Sequence, residues 1–509
     1  MKLLKLTYIL YKLKLLTPRG VYCLISSIYK HGTNLMTLLA FSARIYGEKA
    51  ALVDEQEIIS YKQLLLQSQE LAVALRENYQ VRCGQKVGIL CKNHGALVKS
   101  IFAISVLGAD IYLLNAEISE KQFNHIAERF NFDLVIYDFE LETLLNESSY
   151  TKSKIISYHD DLMAVNNLRS TNLNHNSNKL RSSSSKIIIL TGGTTGNSKT
   201  APHNPSLFNY LDPYLTLLTS LNLVKYHTAY IATPIYHGYG LAMLLLFLSL
   251  GNKVVISRGF NAEKACALIR EHKVQVVTLV PLMLSKMIEN DADDLKSLAC
   301  IVSGGARLNP KLVKETFNKL GNVLCNLYGT SEAGLVTVAT PQDLQYSAQT
   351  IGRKISGVKV KILDTYNKKV EIGRVGQFYI KSGCTISNNN SWVATGDLGY
   401  QDSKGYYFLC GRTDDMIVSA GENVYPIEVE QELINHPHVQ DVMVVGINDD
   451  IFGQRLKAYV QLKDNKSLTA DELLEWLGSR VARFQLPKEI VFVDSIPYTP
   501  LGKHDKKHI

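Results

Sequence analysis

Apolar positions along this chain follow two rhythms that alternate. Short continuous runs such as Lys86-Val87-Gly88-Ile89-Leu90 and Asp133-Leu134-Val135-Ile136-Tyr137 read as buried strands. Between them, Leu97 to Leu107 repeats its apolar residues at helical spacing. The alternation predicts a parallel sheet with helices on both faces. Residues 166–185, rich in Asn and Ser and closing on Ser182–Ser185, read as a surface linker. Beyond it the alternation resumes, with a strand over 186–189 and a buried helix over Leu241–Leu250. Further strands are expected at Val254–Ile256, Val276–Val280, Cys300–Val302 and Val323–Leu327. Gly357–Leu363 and Gly376–Ile380 predict a separate β portion. Val439–Val445, Lys457–Leu462 and Ile490–Val493 predict three more strands, with a helix over Ala470–Val481. The expected fold class is α/β: a large N-terminal domain with doubly wound sheets and a β portion, plus a small C-terminal α+β domain.

A chain of 509 residues exceeds the size of one hydrophobic core, so at least two folding units are expected. With 46% apolar and 20% charged residues, the composition is that of a globular enzyme and excludes a disordered chain. The eight cysteines stand singly, none in Cys-x-x-Cys spacing, which predicts reduced thiols in a cytoplasmic protein and no zinc or disulfide framework. The net charge of +8 is local: seven of the 55 basic residues (Lys2, Lys5, Lys12, Lys14, Arg19, Lys30, Arg44) precede Glu48, the first acidic residue. The remainder carries 48 basic against 47 acidic side chains, so no nucleic-acid partner is expected. Lysines interrupt the N-terminal leucines too often for a spanning helix of roughly 20 apolar residues or for a signal peptide. Two readings remain for residues 1–20. One is an interfacial helix on the inner face of a membrane, leucines in the acyl boundary and lysines on anionic headgroups. The other is a basic helix packed on the protein, or a stretch lying upstream of the native product.

The strand over 186–189 leads into Leu190-Thr191-Gly192-Gly193-Thr194-Thr195-Gly196-Asn197-Ser198-Lys199. Glycines let backbone N–H groups close around a phosphate, hydroxyls add donors and the lysine adds charge. The spacing is not that of a P-loop, which needs Gly-x-x-x-x-Gly-Lys-Ser/Thr. Four more motifs follow: Tyr328-Gly329-Thr330-Ser331-Glu332, Thr395-Gly396-Asp397, Gly411-Arg412-Thr413-Asp414-Asp415, which continues to Gly421–Glu430, and Pro500-Leu501-Gly502-Lys503. Five such elements in this order resemble the adenylate-forming superfamily of acyl-CoA synthetases, aryl-acid ligases, luciferases and adenylation domains. The resemblance spans residues 35 to 509 and is strongest to a bacterial fatty-acid–CoA ligase.

That resemblance implies the division of labour. Thr191, Gly193, Thr194, Thr195, Gly196 and Lys199 would cradle the β- and γ-phosphates of ATP, with Thr194 counted among the catalytic groups. Glu332 would hold Mg²⁺, a hard cation suited to carboxylate and phosphate oxygens; taken alone, it reads equally as the first residue of a helix. Thr330 or Ser331 would bond the α-phosphate. Asp397 would accept both ribose hydroxyls and Arg412 would add a ribose or phosphate contact. Tyr328 and Gly329 would face the adenine, and Gly304, in Ser303-Gly304-Gly305-Ala306, would bring backbone near the base and acyl group. Lys503 would reach the acyl carboxylate and α-phosphate from the small domain, and Asp414 would be the hinge of a domain rotation. Gly421 would line the passage for the thiol of CoA. His237 matches a residue at the mouth of the acyl pocket and reads equally as a structural histidine. The implied division is a basic segment over 1–34, a large domain over 35–413 and a mobile domain over 414–509.

Some positions depart from the family pattern. Gly192 stands for serine, Ser198 for proline, Thr200 for glycine, the stretch from Gly383 to Trp392 is short, and His504-Asp505-Lys506 replaces an aliphatic-x-Arg sequence. The expected function is an acyl-CoA synthetase joining a small carboxylic acid, preferably a fatty acid, to CoA through acyl-AMP. The alternatives are a freestanding enzyme that loads a carrier protein and a degenerate nucleotide-binding protein at a membrane. The sequence leaves the oligomeric state open.

Overall fold

The computed structural model describes residues 7, 10–12, 14–169, 180–182, 185–191, 199–203, 207–330, 332–383, 391–419, 422–449, 452–464, 466–499 and 502–506. Two compact units arise from the chain: residues 1–279 with 283–302, and residues 280–282 with 303–509.

The first unit holds two largely parallel sheets. In one, the strand order is Ser153–Ile156, Leu134–Tyr137, Lys86–Leu90, Asp110–Leu113, Ile187–Thr191, Lys199–His203. Val87 pairs with both Leu134 and Ile111 in parallel register, and only the final pair is antiparallel. Phe123, Phe132, Leu145 and Leu90 fill the space against this sheet. In the other sheet Val276–Leu279, Thr228–Ile231, Lys253–Ile256 and Ala50–Val53 run parallel, with Ile58–Ser60 antiparallel at the edge. The β-branched, all-buried strands are those of sheets covered on both faces.

The helix Gly95–Leu107 is buried on every side, as a helix without a polar face must be. It begins two residues before the apolar run at Leu97 because His94 caps it: Nδ1 accepts the Leu97 N–H at 3.2 Å. The helix Gly238–Leu250 likewise starts earlier than its leucines, with His237 at its N-cap position.

The second unit is antiparallel where the first is parallel. Its larger sheet runs Lys359–Leu363, Gly376–Lys381, Val393–Gln401, Tyr407–Arg412, Thr350–Lys354, Gly334–Ala339, Leu324–Thr330. The C-terminal part pairs Val439–Asp449 with Gly453–Leu462 and Ile417–Ser419 with Glu422–Val424. Glu489–Phe492 lies parallel to Gly453–Leu462. Two helices, Pro426–Ile434 and Ala470–Gly478, close over this sheet through Val429, Leu433, Leu473 and Leu477. No helix among the described residues is long and apolar enough to cross a membrane.

Candidate active site

Strand pairing sets the ends of the glycine-rich loop. Ile187–Thr191 and Lys199–His203 are antiparallel neighbours, and Thr191 stands directly opposite Lys199. The loop therefore joins two strands of one hairpin, unlike a P-loop, which leads from strand to helix. Gly193, Thr194, Thr195 and Gly196 lie outside the described residues, as do Ser331 and Gly421. His237, half-buried, also belongs to this unit, with its ring centroid 4.6 Å from that of Tyr236. Gly304 ends the strand Cys300–Gly304, whose last two residues belong to the second unit.

Most of the remaining predicted residues fall in the second unit. Leu324–Thr330 and Gly334–Ala339 form a hairpin in which Thr330 pairs with Gly334. Glu332 sits in its turn, so the helix-start alternative for this glutamate is overturned. Thr330 Oγ1 accepts the Ala333 N–H at 3.1 Å, and Ser382 Oγ donates to the Ala333 carbonyl at 3.0 Å, fixing the turn. A half-buried carboxylate on a fixed turn is a fitting donor for a hard divalent cation.

Tyr328, on the strand before that turn, reaches Asp397. Its hydroxyl donates to Asp397 Oδ2 at 2.6 Å, while Arg412 donates to Oδ1 at 3.0 Å. Asp397 and Arg412 are register partners on adjacent antiparallel strands, which brings a pair 15 positions apart in sequence side by side. Gly396 has φ +76°, a left-handed conformation that favours glycine, and a Cβ there would lie 2.9 Å from the Arg412 guanidinium. Arg412 is held from behind by Asp414, 2.8 Å from Nε. Burial raises the pKa of Asp397; the Tyr328 hydrogen bond and the charges of Arg412 and Lys503 oppose that rise. Burial and the Asp397 charge push the Tyr328 hydroxyl far up, so it stays a proton donor. The ring expected to face adenine stands edge-on to Phe378, and its hydroxyl orients the ribose-binding candidate.

Lys503 lies close enough for its charge to act on Asp397. It occupies a tight turn: Thr499 N–H donates to the Lys503 carbonyl and Gly502 N–H to the Thr499 carbonyl, both at 2.8 Å. Gly502 has φ +65°, and a Cβ there would meet Val280 at 2.8 Å. The residues that brace this turn come in part from distant positions. Tyr498 donates to Asp441 Oδ2, and His504 Nε2 lies 3.2 Å from the Tyr498 hydroxyl and 3.6 Å from Asp441 Oδ1. Lys506 pairs with Asp415 at 2.6 Å, beside the expected hinge. The residues that replace the family's aliphatic-x-Arg are thus the ones that brace the lysine turn.

Burial disfavours the His504 cation, but the Asp441 hydrogen bond and the Glu430 charge outweigh it and raise the pKa. A histidine pKa raised in the folded state stabilises fully below the unfolded value and loses that stabilisation as pH rises through the folded one. Wild type is therefore expected to lose melting temperature as pH rises above the ordinary histidine value of about 6.5. Asp441→Asn should flatten that slope and cost about 1–3 kcal/mol at the acid end. Thermal unfolding against pH checks this; an unchanged slope in the variant would show that the pair does not titrate with folding.

A second polar cluster, in the first unit, joins Cys91, His94 and Asp138 within ligand spacing of one another. Asp138 already accepts from His94 (2.8 Å), Ser157 (2.6 Å) and the Lys92 N–H (2.9 Å), and Arg258 stands 3.2 Å away. The Asp138 carboxylate is thus already satisfied by protein donors and by the Arg258 cation, and the cluster is read as structural.

With this geometry in place, comparison with known proteins is informative. Residues 39–388 match the model of the AMP-binding enzyme family, and residues 428–503 match that of the AMP-binding enzyme C-terminal domain. The chain belongs to the AMP-binding enzyme family, and within it to the AMP-forming acid–thiol ligases. It is 27% identical over 484 residues to the 2-succinylbenzoate–CoA ligase of Bacillus pumilus, covering 91% of this chain and 95% of the relative. It is 26% identical over 499 residues to the fatty acid–[acyl-carrier-protein] ligase ScoC of Streptomyces coeruleorubidus, covering 93% and 96%. The crystal structure of the anthranilate CoA ligase AuaEII with anthranoyl-AMP shares the fold, with a TM-score of 0.82 at 22% identity, covering 92% of this chain and 95% of that one.

Proposed function

We propose that this ligase activates an apolar carboxylic acid, a fatty acid foremost, and transfers the acyl group to CoA. In the first half-reaction the carboxylate attacks the α-phosphorus of ATP and pyrophosphate leaves, giving acyl-AMP. In the second, the CoA thiol attacks the acyl carbon, AMP leaves and the thiol proton passes to solvent. The observation that carries the reading is the assembly of Asp397, Tyr328, Arg412 and the Lys503 charge within one unit. Asp397 would accept the ribose hydroxyls, Arg412 would hold that carboxylate in place, and Lys503 would neutralise charge developing between carboxylate and phosphate. Glu332 would hold Mg²⁺, which when bound shields the phosphate charge. Thr191, Gly193, Thr194, Thr195, Gly196 and Lys199 are assigned to the outer phosphates, Gly304, Gly329, Thr330 and Ser331 to the nucleotide, and Gly421 to the CoA passage. Asp414, braced against Arg412, is assigned to the hinge between a domain over 35–413 and one over 414–509.

Support for an apolar acid comes from the stretch Thr233–Gly240, which offers buried Ile235 and Tyr236 and no acid to bind an ammonium group. Relatives acting on aryl and on fatty acids make both classes necessary in the test. AMP release should be followed with ATP, a panel of fatty, aryl and amino acids, and either CoA or a pantetheinylated carrier protein. Fatty acids with CoA should give the highest kcat/KM, by about tenfold or more over amino acids. Preference for the carrier protein would instead establish the loading enzyme, the reading that the ScoC relative favours.

A further inference from the structure

The helix Pro18–His31 is seated on the protein by the wrong face for an ordinary amphipathic helix. It starts where Thr17 caps the Gly20 N–H at 3.0 Å and Pro18 takes the first turn. Its buried residues are Gly20, Cys23, Ser27 and His31, which are small or polar. Its outward residues are apolar: Tyr22 is 70% exposed, Ile25 62% and Tyr29 68%. With 100° between successive residues, Pro18, Tyr22, Ile25 and Tyr29 form one stripe about 60° wide. Exposed Arg19 and Lys30 flank it on one side, Lys12 and Lys14 precede it, and Arg181 lies over the Tyr29 ring at 5.9 Å. Tyr11 and Leu16 add further exposed apolar surface. The helix is anchored: the Asn34 amide donates to the His31 carbonyl at 2.7 Å, and His31 lies 3.4 Å from Gln69. The stripe therefore has a fixed direction, and it lies ahead of residue 39, where the family match begins.

We propose that this stripe docks the enzyme onto an anionic lipid surface, with Tyr22, Ile25 and Tyr29 at the headgroup–acyl boundary and the flanking cations on the headgroups. Tyrosine suits that depth because its ring is apolar and its hydroxyl stays wet. Charge selects the occupant. No acidic residue precedes Glu48, so pairing two copies of this face would set cation against cation, whereas an anionic bilayer complements it. Each basic residue near such a surface adds about fivefold to the partition coefficient, an effect that salt screens. The contact thus centres on residues 18–31 and extends past the 1–20 segment that the leucines and lysines single out. It does not depend on which acid the enzyme activates.

The test is co-sedimentation of the full chain with vesicles of equal parts phosphatidylglycerol and phosphatidylcholine, with phosphatidylcholine alone as control. Wild type should sediment with the anionic vesicles and release as salt is raised. The triple variant Tyr22→Ser, Ile25→Ser, Tyr29→Ser keeps every basic residue and should partition at least about tenfold more weakly. Its circular dichroism and its turnover of a soluble acid should match wild type, because the three side chains are exposed and far in sequence from every assigned site residue. Equal sedimentation of variant and wild type would overturn the proposal, as would failure of wild type to bind anionic vesicles. A wild-type dimer that the triple variant converts to monomer would assign the stripe to a second copy instead, and would overturn it equally.

Discussion

Lys503→Ala will lower acyl-AMP formation by about 10²–10³-fold and leave the conversion of supplied acyl-AMP to acyl-CoA within a few-fold of wild type. The magnitude is that of removing one group assigned to neutralise the charge developing between carboxylate and phosphate. The asymmetry follows from the proposed placement of Lys503: its charge acts on Asp397, so it would stand beside a nucleotide whose ribose that carboxylate accepts. Lys503→Arg should recover little, since a planar fork cannot take the place of a compact ammonium on this short turn. Pyrophosphate exchange measures the first half-reaction and AMP release from synthetic acyl-AMP the second. Equal loss in both would show that Lys503 serves a step common to the two.

Asp397→Ala will raise KM for ATP and lower kcat/KM by about 10²-fold, and it will also destabilise the fold. Two consequences are separable because Asp397 has a structural role and a proposed one in binding. Its oxygens are the acceptors assigned to ribose, and they also receive the buried Tyr328 hydroxyl and Arg412. Alanine leaves the tyrosine donor unsatisfied, at a cost of about 1–3 kcal/mol. Asp397→Asn keeps an acceptor for Tyr328 and removes the charge that holds Arg412. It should restore most of the melting temperature and little of the ATP affinity. Thermal unfolding and ATP-dependent kinetics on both variants check this; recovery of both properties in Asn would show that the negative charge is dispensable.

The sequence made the strands Lys86–Leu90, Leu134–Tyr137 and Val276–Leu279 legible because fully buried parallel strands are uninterrupted apolar runs. The pairing of Asp397 with Arg412 was legible only as two motifs; their contact depends on strand register, which no local pattern states. The cap at His94 escaped notice because histidine is an uncommon N-cap and the apolar run begins at Leu97. Asp441 could not be linked to the lysine turn, since its partner Tyr498 is 57 positions away. The Pro18–His31 helix was hidden for a different reason. Its buried face is small and polar, so counting leucines pointed ahead of it, to residues 1–20.

The direct pairing of Thr191 with Lys199 bears on how such an enzyme can change over generations. The seven residues from Gly192 to Ser198 connect ends already held at adjacent-strand distance. Closing a connection of this length costs an entropy that varies only slowly with the addition of a few residues. A residue or two added between these ends would therefore cost folding little. If the proposed role of this loop in phosphate binding holds, its length can thus be retuned along a lineage at small cost to folding, a freedom that the buried Asp397–Tyr328 pair does not share.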